Sequence, residues 1–393
     1  MPRHIEPRWR ALLVLAAART SLGFQFQSIA SVSPELIADL GLGYGELGTL
    51  IGLYFLPGVA IALPGAALGR RFGDTRVVGI GLGLMVVGGL TTALAPGLAM
   101  LAAGRLVSGI GAVLLNVLMS KMATDWFAGE RDLTLAMAVL VNSFPVGLGL
   151  ATLTLAPLSA RAGWAAGLSI AAGFALLAFL LLRLGYRQHP NDGTSEGGGA
   201  LFNLSGREAS LVSLAAIMWS SLNGGLGVMF GFAPSFLAQG GIGSAAAGLI
   251  VGAATWLVVI AGHAGGVMAQ RGSRIMLLML LGTLGWACCL VVLAIVPGVQ
   301  APAILLSGLL MGLPAGVLMS LTARVLRPEN RAIGMGLFYV WHYAGLAGLP
   351  PLAGWMGDLT RSGSAPLLFA ALLVAAILPL FLLFGRLAAT RHH

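Results

Sequence analysis

Apolar runs of about twenty residues recur from one end of this chain to the other, and they restrict the fold more than any motif does. A helix needs about 20 mostly apolar residues to cross a bilayer, because the hydrocarbon core is about 30 Å thick and a helix rises about 1.5 Å per residue. Twelve segments meet that requirement: about Ala11–Ser33, Leu47–Leu68, Val77–Leu94, Leu98–Met119, Thr134–Pro157, Trp164–Leu184, Ser210–Phe236, Ala245–Met268, Ile275–Val296, Ala301–Ala323, Ile333–Met356 and Ala365–Phe384. Charged residues make up only 9% of the chain, against about 25% in a soluble domain. Water-soluble folds are excluded. An all-α membrane protein with twelve transmembrane helices is predicted.

Most connections are short. The exception, Tyr186 to Gly206, is polar and rich in Gly and Ser, and reads as a flexible linker. It follows the sixth segment, so a six-helix bundle over 1–185, a cytoplasmic linker over 186–207 and a second six-helix bundle over 208–393 are expected. MPRHIEPRWR leads straight into a full-length span, so no cleavable signal peptide is expected. Cys288 and Cys289 are adjacent inside an apolar run. They cannot build a disulfide framework and lack metal-ligand spacing, so neither a metal nor a cofactor is expected.

The charge distribution fixes an orientation. Most of the 22 Lys and Arg residues fall on one side if both termini are cytoplasmic, as the excess of basic residues in cytoplasmic loops requires. The net charge of +9 therefore reports topology, and no nucleic-acid partner is needed. The expected setting is the cell membrane, crossed many times. The two parts also repeat. Val117-Leu118-Met119-Ser120 recurs 200 residues later as Val317-Leu318-Met319-Ser320; at the same offset Arg131 meets Arg331, and Arg161-Ala162-Gly163 meets Arg361-Ser362-Gly363. An even number of spans separates the copies, which predicts halves related by a parallel pseudo-repeat about an axis along the membrane normal.

Polar groups near mid-span are the candidate site. Arg19 lies inside the first segment, where a guanidinium is costly unless it faces protein, water or an anion. None of the 13 acidic residues lies mid-span. A cation would find no counter-charge there, whereas Arg19 offers a fork that matches a carboxylate or oxyanion. Gln25 and Gln27 are two apart and point to different faces, so at most one lines a cavity. Asn116, Asn142 and Asn223 place amides in spans four, five and seven; packing hydrogen bonds are the competing reading for the first two, and packing of small residues for Asn223. Gly224 and Gly225 follow Asn223 and loosen that helix. Tyr339, His342 and Tyr343 cluster in span eleven, at spacings that put them on adjoining faces of one helix, with aromatic core packing as the alternative. His263, between Gly262 and Gly265 in span eight, and His342 are the histidines within spans. Lys121 and Arg324 end spans four and ten, where they read as snorkelling anchors or as a basic inner gate. Pro57, Pro64, Pro145, Pro314 and Pro350-Pro351 are positioned to kink their helices.

Between spans two and three the sequence reads Gly65-Ala66-Ala67-Leu68-Gly69-Arg70-Arg71-Phe72-Gly73-Asp74-Thr75-Arg76. It resembles the signature loop of the major facilitator superfamily, Gly-x-x-x-Asp-Arg/Lys-x-Gly-Arg-Arg/Lys. Gly65, Arg70 and Gly73 fit as coupling or gating positions; Gly69 replaces the aspartate that locks the two halves on the cytoplasmic side in that family. The second-half counterpart, Met268-Ala269-Gln270-Arg271-Gly272-Ser273-Arg274, is more degenerate. Span four opens as Arg105-Leu106-Val107-Ser108-Gly109-Ile110-Gly111. This is similar to the family's Arg-x-x-x-Gly-x-Gly motif, which implies helix packing or proton coupling for Arg105. Ser143-Phe144-Pro145-Val146-Gly147-Leu148-Gly149 is similar to the family's Gly/Pro-rich antiporter segment, incompletely. The loop Trp126-Phe127-Ala128-Gly129-Glu130-Arg131 most resembles the cyanate/nitrate-type permeases.

The resemblance implies alternating access by rocking of two halves around a midplane site. With Arg19 and no mid-span acid, the expected function is a secondary transporter, a symporter, for a small anion, inorganic or carboxylate. A proton, if coupled, would ride on His342 or His263. The aromatic and Met content and the Pro/Gly segment support an alternative, an efflux carrier for hydrophobic or neutral compounds. The sequence has no metal cluster, no Ser/His/Asp arrangement and no nucleotide loop, so an enzyme is not expected. A small-molecule substrate and the lipid bilayer are the expected partners, and a monomer suffices.

Overall fold

A computed structural model describes residues 6–62, 64–128, 132–190, 192, 204–271, 274–327 and 330–389. The regular elements among these residues are helical. Before the linker run α1 (Pro7–Ser31), α2 (Ser33–Leu40), α3 (Tyr44–Gly52), α4 (Leu56–Ile61), α5 (Gly65–Phe72), α6 (Asp74–Ala93), α7 (Leu98–Phe127), α8 (Leu133–Ala162) and α9 (Trp164–Gly185). After it run α10 (Gly206–Gln239), α11 (Ser244–Gln270), α12 (Ile275–Leu280), α13 (Trp286–Ile295), α14 (Gln300–Met311), α15 (Ala315–Val325), α16 (Arg331–Thr360), α17 (Ala365–Ala375) and α18 (Ile377–Ala389). Most of the linker, with Gly129 to Arg131, Gly272 and Ser273, lies outside the described residues.

Ten stretches among the described residues are long and apolar enough to cross a membrane, against twelve expected. α1 and α16, with 25 and 30 residues, have the length but are not among them. α1 carries the predicted segment Ala11–Ser33 up to Ser31 and α16 carries Ile333–Met356, and with them Arg19, Gln25, Gln27, Tyr339, His342 and Tyr343.

Proline and one π turn break several predicted segments. Leu47–Leu68 divides among α3, α4 and the start of α5, with Pro57 in the first turn of α4 and Pro64 capping α5. Ala301–Ala323 divides ahead of Pro314, which caps α15. A π turn, Leu281–Gly285, separates α12 from α13. Proline has no N–H to donate and its ring clashes with the carbonyl four residues back, so a helix start accommodates it. Pro145 and Pro350-Pro351 stay inside α8 and α16, which run on. Elsewhere helix starts are set locally. The Glu208 carboxylate accepts the Ser205 N–H at 3.1 Å while the Ser205 hydroxyl accepts the Glu208 N–H at 3.2 Å, a reciprocal cap at the start of α10.

α1 packs on α8 and α9, and α6 on α7 and α9; α10 packs on α15, α16 and α17, and α11 on α14. Two antiparallel seams join the first group to the second. On one, Gly45, Gly48, Gly52 and Gly58 of α3 and α4 meet Trp355, Pro350, Ala347 and Tyr343 of α16. On the other, Ala156, Leu153, Gly149 and Asn142 of α8 meet Gly248, Gly252, Trp256 and His263 of α11. A β-carbon at Gly48 or Gly52 would run into the carbonyl oxygen of Pro350 or Ala347, so this closeness of backbones depends on glycine.

α1 and α10 both lead away from the side on which the chain enters, here the near side, toward a far side. On the far side the Asp358 carboxylate accepts the N–H of Tyr44 at 2.7 Å and of Gly45 at 2.8 Å, capping α3 from the other half. The Tyr44 hydroxyl donates to Gln239 at 2.7 Å. On the near side the charged clusters tie helices within one half. Lys121 pairs with Asp74 at 2.6 Å and Asp125 at 2.9 Å; Glu208 accepts from Arg327 at 3.1 Å and Asn330 at 3.0 Å. Lys121 is thus an ion-pair partner rather than a snorkelling anchor.

Candidate functional site

Arg19 lies twelve residues into α1, Asn116 eleven residues from the end of α7, and Tyr343 twelve residues into α16. At about 1.5 Å per residue all three sit roughly 16–18 Å from the near side. There they join. Arg19 Nη1 donates to Asn116 Oδ1 at 2.6 Å, and Asn116 Nδ2 donates to the Tyr343 hydroxyl at 2.7 Å. The chain of bonds crosses from one half to the other. Asn116 uses both ends of its amide, so its orientation is fixed by its neighbours.

Two nitrogens at this level have no partner among the described residues: Arg19 Nε and His342 Nδ1, both buried. A buried donor without an acceptor costs about 1–3 kcal/mol, and a guanidinium at mid-membrane more. Arg19 Nη1 is used, which leaves part of the guanidinium fork for a guest.

Aromatic rings surround the junction. Tyr343 lies 6.2 Å from Tyr339, 5.5 Å from His342 and 5.9 Å from Phe55, centroid to centroid. Phe55 continues to Phe26 at 4.9 Å and Phe144 at 6.5 Å, and His342 to Trp219 at 6.2 Å. Phe26, Phe55 and Phe144 escaped the sequence reading. They are three ordinary phenylalanines, on α1, on α8 and in the turn between α3 and α4, and only the packing of these three segments makes one wall of them.

Other predicted residues stand apart from this junction. Gln25 donates from Nε2 to the Met85 carbonyl at 2.8 Å and is buried inside the first half; its side chain holds α1 to α6. Gln27 donates to the Phe230 carbonyl at 3.2 Å across the halves. Asn223 turns back on its own helix and donates to the Trp219 carbonyl at 2.9 Å. Asn142 and His263 meet each other, at 2.9 Å, on the α8–α11 seam. Arg105 is buried with its donors on three backbone carbonyls: Leu50 at 2.9 Å, Gln25 at 2.9 Å and Phe26 at 3.2 Å. Its guanidinium lies 4.4 Å over the Tyr54 ring. A far-side cleft of about 240 Å³ lined by Phe236, Gln239, Ile242, Gln300 and Ser364 is remote from Arg19 and has no charged lining.

The loop between α5 and α6 explains its missing aspartate. Gly69 packs against the Asp74 carboxylate and Leu118, so closely that a β-carbon there would strike Asp74 Oδ1. The buried carboxylate is supplied five residues later, by Asp74, and it binds Lys121 of the same half. Gly73 turns the chain between the two helices at φ +87°, a left-handed conformation that glycine adopts without strain. Gly65 opens α5, and Arg70 is exposed in its last turn. The loop containing Gly129 to Arg131 falls outside the described residues.

A 123-residue stretch, 31% of this chain, is 31% identical to an uncharacterized MFS-type transporter of Mycobacterium tuberculosis. A 141-residue stretch, 36% of the chain, is 25% identical to the major facilitator superfamily multidrug transporter mfsC of Aspergillus fumigatus. The matches span only 21% and 27% of the length of these curated relatives. Neither name points to a cyanate or nitrate permease, so that finer placement gains no support from them. Across the fold, the chain is similar to a bacterial homolog of the human lysosomal transporter Spinster in its inward-facing and occupied conformation. That likeness has a TM-score of 0.81 at 16% identity and covers 97% of both chains. It is also similar to the inward-open xylose transporter XylE of E. coli, with a TM-score of 0.75 at 16% identity over 95% of this chain and 96% of that one. The sequence profile described as Major Facilitator Superfamily matches residues 15–347. With ten helices among the described residues long and apolar enough to cross a membrane, this multi-pass membrane protein belongs to the Major Facilitator Superfamily.

Proposed function

We propose that the protein is a secondary transporter for a small solute bearing one negative charge, an inorganic anion or a small carboxylate, bound at the Arg19–Asn116–Tyr343 junction. The observation that carries this is the buried Arg19 Nε, left without a protein acceptor where the two halves meet. An oxyanion would accept from that nitrogen while the rings of Tyr339, Tyr343 and Phe55 hold the body of the solute. The described acids lie at helix ends or in the linker and none is bonded to Arg19, so none of them competes for its charge.

Twelve crossings are the favoured topology, with α1 and α16 as the two additional spans, central and therefore less apolar. Helix starts at Tyr44 and Ser244, and at Trp164 and Ala365, recur about 200 residues apart, which supports a parallel repeat of two halves, 1–185 and 208–393. With both termini in the cytoplasm of a cell whose plasma membrane holds the protein, the far-side contacts of Asp358 and Tyr44 are extracytoplasmic. The state is then closed outward, and rocking of the halves about the junction exposes the solute to each side in turn. One copy suffices. An efflux carrier for hydrophobic compounds is the second reading, favoured by the aromatic wall and by the multidrug relative.

A thermal-shift screen of purified protein against inorganic anions, carboxylates, neutral metabolites and hydrophobic drugs tests the choice. A ligand present at 100 times its Kd stabilises by about 2.7 kcal/mol. Anions are expected to raise the melting temperature of wild type and not of Arg19→Ala, with uptake into liposomes lost in parallel. Stabilisation by neutral drugs alone, equal in both proteins, would overturn the anion reading in favour of the second.

A further inference from the structure

The α8–α11 seam carries small and apolar residues along its far part and then, toward the near side, one polar pair. His263 Nδ1 lies 2.8 Å from the Val259 carbonyl, and His263 Nε2 lies 2.9 Å from Asn142 Nδ2. Asn142 Nδ2 also donates to the Ala138 carbonyl at 2.8 Å. Two carbonyl oxygens, each able only to accept, fix the protons of this pair. Val259 requires the hydrogen of the neutral ring on Nδ1, which leaves Nε2 bare. Ala138 requires the NH2 end of the Asn142 amide, whose second hydrogen then points at Nε2. The pair is a clasp between the two halves, complete only with a neutral imidazole.

Protonation of Nε2 sets an N–H against an N–H. Turning the amide to offer Oδ1 would instead set that oxygen against the Ala138 carbonyl. Either way one bond of the clasp is lost. We propose that His263 is a proton-binding site of this transporter, and that its protonation releases the near-side end of the α8–α11 seam. The proposal rests on the transporter reading but not on the anion.

The elements packed on α11 bring few charges toward this ring. α8 carries Arg161, at its opposite end; α10 carries Arg207 and Glu208 in its first turn, Glu208 already held by Arg327 and Asn330; α15 carries Arg324 in its last turn. α12 and α14 carry no titratable side chain, and α11 itself has none besides His263. Among the described residues no carboxylate is bonded to the imidazole; its two nitrogens meet only Asn142 and the Val259 carbonyl. His263 lies seven residues from the near-side end of α11. His342 stands elsewhere, flanked by Tyr339, Tyr343 and Trp219 in the binding junction, with no partner for its Nδ1 among the described residues.

The test uses the full chain with Cys288→Ser and Cys289→Ala, spin-labelled at Leu135→Cys and Val267→Cys, exposed positions near the near-side ends of α8 and α11. Lowering the pH from 8 to 5.5 is expected to move the label-to-label distance distribution to longer separations. His263→Gln should remove the pH response. Asn142→Asp, which accepts from a charged ring, should keep the short separation at low pH. A distance in the parent protein that does not change with pH, or a response that survives in His263→Gln, overturns the proposal. Should either variant fail to fold, the wild-type chain labelled with 15N-histidine decides. A ring at position 263 that carries its hydrogen on Nδ1 at pH 8 and gains one on Nε2 by pH 5.5 supports the clasp; the opposite tautomer or no titration refutes it. Failure of anions to bind at Arg19 would leave all of these readouts unchanged.

Discussion

Arg19 and Arg105 are both arginines inside apolar helices, and their surroundings separate them. Arg105 places its donors on the carbonyls of Leu50, Gln25 and Phe26, whereas Arg19 retains an unpartnered Nε beside one bond to Asn116. Bonds to a charged group contribute about 1.5–3 kcal/mol each. Arg105→Ala is therefore expected to destabilise by several kcal/mol, seen as a lower melting temperature in detergent with or without solute. Arg19→Ala is expected to leave the melting temperature without solute near wild type, or to raise it slightly by removing a costly buried charge, while losing solute-dependent stabilisation. Equal losses of intrinsic stability in the two variants would contradict this division. Both residues stand out in the sequence as charges within apolar runs. Which of them is satisfied by backbone was not legible there, because the carbonyls concerned belong to helices that are 55 and 80 residues away in the chain.

At the scale of the element, the α5–α6 loop shows how a motif departs from its family without losing its carboxylate. Asp74 occupies the space beside Gly69, and Lys121 binds it. Restoring the family's residue with Gly69→Asp would force a side chain into Asp74 and Leu118 and set two carboxylates together. Overpacking alone costs about 1–3 kcal/mol. The expected result is a lower melting temperature and no gain in transport; a more stable or more active variant would show that the loop tolerates both acids. The sequence made the absence at Gly69 visible. It did not show the compensation, since Asp74 reads as an ordinary first-turn acid of α6. The broken helices follow the same pattern. Pro57, Pro64 and Pro314 stand at helix starts, but Pro145 and Pro350-Pro351 do not stop α8 or α16, because neighbouring helices hold those segments in place.

At the scale of the whole molecule, two seams hold the halves, and the far-side end of one is tied by a single carboxylate. Asp358 accepts two backbone N–H groups of α3 with two oxygens. Asp358→Asn offers one oxygen and one NH2, so at least one of those N–H groups loses its acceptor. A loss of about 1.4 kcal/mol shifts a two-state balance tenfold, and a charge-assisted bond is worth at least that. Maleimide labelling of Ser235→Cys, buried near the far side, is expected to speed up roughly tenfold or more in the Asp358→Asn background; an unchanged rate would mean the carboxylate is not a latch. From the sequence alone come the helical, membrane-spanning class and the depth of each polar residue, because lipid admits only segments that bond their own backbone and the helical rise is constant. The tertiary structure alone decides company. Arg19 and Asn116 are 97 residues apart, and Asn116 and Tyr343 are 227 apart. Their meeting depends on how each helix is turned about its axis, and close glycine contacts fix that rotation: Gly23 of α1 on Phe144, Gly109 of α7 on Tyr54, and Gly52 of α3 on Ala347 of α16.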